Sequence, residues 1–268
     1  MRRQTFETPG ELTLAVEVPT GRIEIESTSG TTTEVELDIR GGDEAAELLE
    51  EARIEQRGQE VVVEVEDQRW SRFWRRLDIR LKIRAPEGAN LKVTTASADL
   101  RGQGRFGWLE AEAASGDIEV EELTGAATAK AASGDVRLPS VGGSATVNVA
   151  SGDVRLGRVE GEVLVRSASG DVTLADAGGD ISINTASGDQ RIEAVTAGSV
   201  DLKSASGDIR VGIREGSNLW VDARGMSGDL SSEVALDDEP PTGNDDAPLV
   251  ELRAASMSGD IDVVRATK

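Results

Sequence analysis

The sequence predicts an all-β protein, a single-stack parallel β-solenoid of 18-residue coils, each made of two nine-residue halves. Three observations carry this expectation. A Ser-Gly-Asp tripeptide recurs at a fixed period, a glycine marks each half-boundary, and apolar and polar residues alternate between the glycines.

The tripeptide begins at Ser115, Ser133, Ser151, Ser169 and Ser187, always 18 residues apart, and a degenerate Ser97-Ala98-Asp99 lies one period upstream. After Ser187 the intervals lengthen to 19, 21 and 31, at Ser206, Ser227 and Ser258. Half-boundary glycines run from Gly116 and Gly125 to Gly179 and Gly188. Counted from each glycine, the residues two, four and seven places on are apolar, as in Val163, Val165 and Ala168, or Ile181, Ile183 and Ala186. Alternation at the first two positions is strand periodicity, and glycine supplies the turn because it enters positive φ at little cost. Two short strands and two turns per coil, stacked about 4.8 Å apart by parallel pairing, give a flattened solenoid with facing inward rows. A helix fits poorly, since each glycine would cost about 1 kcal/mol there. Gln190 sits where an inward aliphatic is expected, which reads as a bulge or as a single buried amide.

Residues 1–90 read as an N-terminal β cap region, and 91–268 as the solenoid repeats. In the first region LTLAVEV, GRIEIES, TEVELDI, EVVVEVE and LDIRLKI alternate as strands. A short helix is expected over Asp43–Ala52, with Asp43 as its N-cap. The cap is expected to cover the first coil, because an open solenoid edge invites aggregation. Near the C-terminus the acidic, Pro-rich stretch 237–248 (DDEPPTGNDDAP) reads as a loop inserted in the last coil.

Composition narrows the chemistry. The 268 residues contain no cysteine, histidine or tyrosine, so disulfides, thiolate metal sites and the commonest general base are all absent. We therefore expect no enzyme and no cofactor. Catalysis would have to rest on carboxylates, hydroxyls, Lys or Arg, and a carbohydrate-binding or carbohydrate-active solenoid using surface carboxylates is the alternative. The net charge of −21, from 50 acidic and 29 basic residues, disfavours nucleic acid as a partner and favours solubility. The N-terminal MRRQTFETPGELTLAVEV has no apolar core of the signal-peptide kind, and no run of about 18 apolar residues occurs. A cytoplasmic location without a transmembrane segment is the resulting expectation.

The repeated ASGDVRL and ASGDIRV coils, preceded by TFETPGELTLAVEVPTGRIEIEST, resemble the bacterial domain family of unknown function labelled "putative adhesin". Its members are described as β-strand repeat proteins. The resemblance covers nearly the whole chain and implies that fold and an adhesin-like role. It implies no catalytic residue and no ligand.

Two groups of residues are candidates for function. The first is the series Asp117, Asp135, Asp153, Asp171, Asp189 and Asp208, one carboxylate per coil. Stacked carboxylates repel, so calcium would offset them in one reading. In the other, Ser and Asp bond the turn backbone while Arg137, Arg155, Arg191 and Arg210, two residues further on, interleave as ion pairs. The second candidate is the partner-binding run Arg69, Trp70, Arg72, Phe73, Trp74, Arg75 and Arg76, basic and aromatic in an otherwise acidic chain. Such a composition suits a protein interface or self-association, a membrane surface, or a plug on the end of the solenoid. Trp108 and Trp220 read as residues of terminal coils. The function expected from the sequence is structural or interaction-based, through a protein partner or self-assembly.

Overall fold

A computed structural model describes residues 1–41, 44–65, 77–234 and 247–266. The chain forms two compact units, Met1–Leu138 and Pro139–Lys268. The first contains β1 (Arg2–Glu7), β2 (Thr13–Thr28), β3 (Thr32–Arg40), α1 (Glu44–Glu51), β4 (Arg53–Arg57), β5 (Glu60–Glu64), β6 (Asp78–Pro86), β7 (Asn90–Phe106), β8 (Leu109–Ser115), β9 (Ile118–Leu123) and β10 (Ala127–Ser133). After β11 (Val136–Val141) the second contains β12 (Ala145–Ser151), β13 (Val154–Val159), β14 (Val163–Ser169), β15 (Val172–Ala177), β16 (Ile181–Ser187), β17 (Gln190–Val195) and β18 (Gly198–Ser206). It ends with β19 (Ile209–Ile213), β20 (Asn218–Gly225), β21 (Leu230–Ser232), β22 (Leu249–Ser258) and β23 (Ile261–Arg265).

Each unit is a parallel β-solenoid, as the repeat predicts. Successive coils pair in parallel at the sequence period: Val163 lies beside Ile181, and Ser169 beside Ser187. Inward aliphatics such as Val147, Val165, Ile183 and Leu202 are fully buried, while their neighbours along the strand face water.

In the first unit the coil register begins inside the region that reads as a cap. Strand β2 runs parallel to β7, with Thr13–Val18 beside Asn90–Thr95 and Thr20–Glu26 beside Ser97–Gln103. Thr20-Gly21-Arg22 therefore underlies Ser97-Ala98-Asp99 as a diverged copy of the tripeptide. On its other side β2 pairs with β5 through Thr13–Glu17 and with β6 through Arg22–Thr28. Strands β5 and β6 thus supply the outermost coil, and stack order departs from chain order. Antiparallel strands close this coil: β4 lies on β5, β3 on β6, and β1 on β3. The helix begins at Glu44 and buries Ala45 and Leu48 against the end of the core; Asp43 lies outside the described residues.

The second unit shows a similar departure. Strand β22 pairs with β18 on one side and β20 on the other, and β23 lies between β19 and β21. Coil 249–265 is therefore inserted between coil 198–213 and coil 218–232, which is outermost. Residues 237–246 of the acidic stretch lie outside the described residues; the stretch joins the outermost coil to the one beneath it rather than interrupting a coil.

Two details differ from the sequence reading. In the strand that enters each tripeptide, the third inward residue is six places after the glycine, not seven. Ala131, Ser167 and Thr185 are buried, whereas Ala132, Ala168 and Ala186 are exposed. Strict strand alternation continues to the corner, so the last Ala-Ser pair turns outward. The two sets of glycines also do different work. Tripeptide glycines such as Gly134 and Gly170 have φ of +128° and +121°, and a Cβ on Gly170 would sit 2.2 Å from the Gly152 oxygen. Gly161 and Gly179, at the other corner, lack positive φ; there a Cβ would meet the neighbouring coil's backbone at 2.8 Å, so close stacking is what demands glycine. Gln190 is a single buried amide in register between Val172 and Ile209, and the bulge lies further on, between Ile192 and Val195. Its Nε2 donates to Thr185 Oγ1 and to the Lys203 carbonyl, both at 2.8 Å.

Candidate interaction surface

Three surfaces bring polar or unpaired groups together. The tripeptide corner is the first. Within each unit an aspartate Oδ1 accepts the backbone N–H of the aspartate one coil further along: in the first, Asp99 from Asp117 at 3.2 Å and Asp117 from Asp135 at 2.9 Å; in the second, Asp153 from Asp171 at 3.0 Å and Asp171 from Asp189 at 2.9 Å. The series continues through Asp189, Asp208 and Asp260, each bond being 2.8 Å, and ends at Asp229 in the outermost coil. A carboxylate that accepts an amide proton is a charge-assisted bond, which offsets the repulsion along the column. Among the described residues no group of three or more carboxylates is arranged to hold a metal ion. Of the arginines beside this column, Arg155 pairs with Asp153 at 2.8 Å, Arg137 with Glu119 at 3.9 Å and Arg191 with Glu193 at 3.8 Å.

The second surface is a row of alternating charge across the first unit. Arg3, Glu36, Lys82, Glu24, Arg101 and Glu119 occupy successive strands in register. Lys82 meets Glu24 at 3.1 Å, Arg101 meets Glu119 at 3.0 Å, and Arg3 pairs with Glu36. Around them lies a shallow concavity of about 230 Å³, lined also by Glu26, Glu34 and Arg84. Its carboxylates face cations on adjacent strands: Glu24 faces Lys82, Glu26 and Glu34 face Arg84, and Glu36 faces Arg3. The arrangement fixes strand register, since a slip by one residue would place the charges on the core face.

The third surface is the outer edge of the second unit. The amides of Asn218 and Met226 donate to Pro248 and Ser256 on the β22 side, at 2.8 and 3.2 Å. Strand alternation then directs the N–H and C=O groups of Leu219, Val221, Ala223 and Gly225 away from β22. Among the described residues no strand pairs with this edge or with the outer edge of β21. The inward row at the edge is incompletely covered: Val221 and Ala223 are half-buried, and Leu230, in register with buried Ile261, is 54% exposed. On the outward face of β20, Trp220, Asp222 and Arg224 follow one another. Arg253 stacks over Trp220 at 5.6 Å, and Asp222 pairs with Arg224 at 3.0 Å. Met226 beyond them is 82% exposed.

Trp220 does lie in an outermost coil, as the sequence suggests; Trp108 instead precedes β8 in the interior of the first unit's stack. The run Arg69, Trp70, Arg72, Phe73, Trp74, Arg75 and Arg76 lies outside the described residues, within the segment that joins β5 to β6. The β20 edge is not marked by any motif. Its signal in the sequence is the lengthened spacing after Ser187, which accompanies the change in coil order. Among the described residues no helix is long and apolar enough to cross a membrane.

Coils of this length, with glycine-cornered parallel strands, define a β-solenoid of the β-strand repeat class. The chain belongs to the family described as Toastrack DUF4097, whose model matches residues 9–163 and again 109–264. No curated protein matches it. Among solved structures it is similar to a "putative adhesin" from Bacteroides fragilis, with 14% identity over 98% of this chain and 96% of that one, at a TM-score of 0.36. A "putative adhesin" from Parabacteroides distasonis shares 12% identity over the same proportions, with a TM-score of 0.37. A protein titled "Putative lipid binding protein" from the same organism shares 11%, again over 98% and 96%, with a TM-score of 0.32.

Proposed function

We propose that this protein is a non-enzymatic interaction module that engages a protein partner by strand addition at the outer edge of its second unit. The observation that carries the reading is the edge of β20, where four successive outward-facing backbone positions lie beside a half-exposed apolar row. Main-chain groups of this kind supply affinity in strand addition, and the side chains on alternate positions supply selectivity. The coils stacked behind β20 hold that edge in place. The tripeptide aspartates accept backbone amides and the carboxylates of the charge row face Arg or Lys, which supports a structural role for them.

Photo-crosslinking in cells tests the proposal. A Trp220→p-benzoylphenylalanine variant should capture protein, a Lys130→p-benzoylphenylalanine variant should not, and adding Ala223→Pro should abolish capture at position 220. The proline removes one outward N–H and no bond to β22. Absence of capture at position 220, or capture indifferent to Ala223→Pro, overturns the proposal.

A further inference from the structure

We infer that the occupant of the β20 edge is a second copy of this chain, paired antiparallel about a two-fold axis through Ala223. The inference rests on the strand-addition reading above and names its partner.

Backbone phase restricts the possible registers. In an antiparallel pair, residues that exchange both hydrogen bonds must face each other across the edge. On β20 those residues are Leu219, Val221, Ala223 and Gly225, so a two-fold register must be centred on a residue rather than between two, and centring on Asp222 or Arg224 would set that charged side chain opposite itself. Centring on Ala223 places Ala223 opposite itself and Val221 opposite Gly225. On the outward face it places Asp222 opposite Arg224 of the second copy, and Arg224 opposite that copy's Asp222. Each carboxylate thus meets a guanidinium twice over, by symmetry. The same register sets Trp220 opposite Met226, the most exposed apolar side chain of this edge, at a separation suited to a sulfur–aromatic contact. Centring on Val221 would instead put Trp220 opposite Asp222 and Asn218 opposite Arg224, with no reciprocal charge pair.

Two further features point to a like partner. An isologous contact uses the same patch on both copies, and β20 is self-complementary in charge. In the first unit β3 and β4 cover the edges of the outermost coil, and the outer strands are tied to each other by side chains, Arg2 donating to the Ala52 carbonyl and Gln56 to the Glu7 carbonyl. Pairing also covers the half-exposed Val221 and Ala223, whose side chains otherwise end the core against water.

Sedimentation velocity of the purified chain over a wide concentration range reads the outcome. The wild type should shift toward twice the mass of the chain as concentration rises. Ala223→Pro should remain monomeric, with a melting temperature near that of the wild type. Asp222→Arg and Arg224→Asp should each be monomeric when separate, because each places like charges opposite one another. Mixed in equal amounts, they should form a heterodimer, since arginines on one chain then face aspartates on the other. Arg224 is an exposed side chain, so the charge variants remain informative even where the proline variant fails to fold. A wild type monomeric at every concentration overturns the inference, as does a dimer retained in Ala223→Pro. Failure of the two charge variants to combine overturns the register. The strand-addition reading is judged separately: capture at position 220 of a different protein, beside a monomeric purified chain, would retain it with another occupant.

Discussion

The outermost coil of each unit is built from the same kind of strand, yet among the described residues one is covered and the other is not. In the first unit Val61 and Val63 of β5, with Ile79 and Leu81 of β6, are inaccessible to water. Beyond them stand β4, β3 and β1, and α1 fills the space with Ala45 and Leu48. The outer strands of that cap are tied by side chains: Arg2 donates to the Ala52 carbonyl, and Gln56 Nε2 donates to the Glu7 carbonyl at 3.0 Å. Arg53 bonds Glu64 across β4 and β5 at 3.2 Å, and that bond, with Glu55 nearby, raises the guanidinium above its ordinary pKa. In the second unit Leu219 is buried, but Val221 and Ala223 on β20 are half-buried and Leu230 on β21 is exposed, and the outward amides of β20 have no strand beside them among the described residues. A solenoid needs a cap wherever its last coil would otherwise expose apolar rows and unpaired amides. The difference leaves the second edge, among the described residues, with the features that strand addition uses.

The largest test of this contrast replaces an inward residue in each outermost coil. Val63→Asp buries a carboxylate with no partner under the cap and should cost at least about 4 kcal/mol, enough to leave much of the first unit unfolded. Leu230→Asp changes a residue that water already reaches, and should move stability by about 0.5 kcal/mol or less. Urea denaturation of the two variants reads both. Comparable losses would show that the second edge is as well covered as the first.

Glycine offers a second comparison. Gly116 has φ of +144° and lies between coils on both sides; a Cβ there would meet the Ala98 carbonyl oxygen at 2.3 Å. Gly228, with φ of +137°, faces the Gly259 oxygen at 2.2 Å but belongs to the outermost coil. Gly116→Ala should therefore cost about 2–4 kcal/mol, from backbone strain and a clash that no neighbour can relieve. Gly228→Ala should cost less, because its coil can move outward. Thermal melts of the two variants measure the gap, and an equal loss would mean that the outermost coil is held as firmly as an interior one.

These elements also show why the sequence was legible in some places and not in others. The period could be read because the glycine of each tripeptide from Gly116 onward must approach the carbonyl of the neighbouring coil, which demands Gly there; Ala98 takes that position in the coil before Gly116. The first coil was hidden because Thr20-Gly21-Arg22 keeps the glycine and loses the flanking Ser and Asp. Coil order was hidden for a different reason. Spacing reports how long a connection is, not where the chain re-enters the stack, so intervals of 21 and 31 mark an irregularity without placing coil 249–265 beneath coil 218–232. The aspartate column was legible as a backbone acceptor, but the amide it accepts belongs to the next coil. The β20 edge carries no motif, since an unpaired amide is a property of what lies beside a strand and leaves no mark in that strand's own residues.

The aspartate column carries the contrast to a smaller scale. Asp171 accepts the Asp189 amide at 2.9 Å, whereas among the described residues the Asp229 carboxylate, at the end of the column, accepts no amide. Asp171→Ala should cost about 1–2 kcal/mol, the worth of a hydrogen bond to a charged group, and Asp229→Ala should be close to neutral. Asp171→Asn keeps the acceptor while removing a charge from the column, and should retain most of the wild-type stability. Chelation should leave the melting temperature unchanged, because the carboxylates are engaged by amides; a clear drop would restore calcium as their partner.

Salt should modulate the second edge by the smallest margin, and the sign follows from comparing two opposing effects. Each copy carries a net charge of −21, and bringing two copies together works against that whole charge. The reciprocal Asp222–Arg224 pairs act the other way, but exposed ion pairs are worth about 0–1 kcal/mol each. Screening therefore removes more repulsion than attraction, since the Debye length falls from about 30 Å at 0.01 M to about 3 Å at 1 M. Self-association measured by sedimentation should strengthen as salt is raised. In the Ala223→Pro variant salt should change nothing. An association that weakened with salt would place the Asp222–Arg224 pairs ahead of the net charge, and would mean that they are far better shielded from water in the dimer than in the single chain.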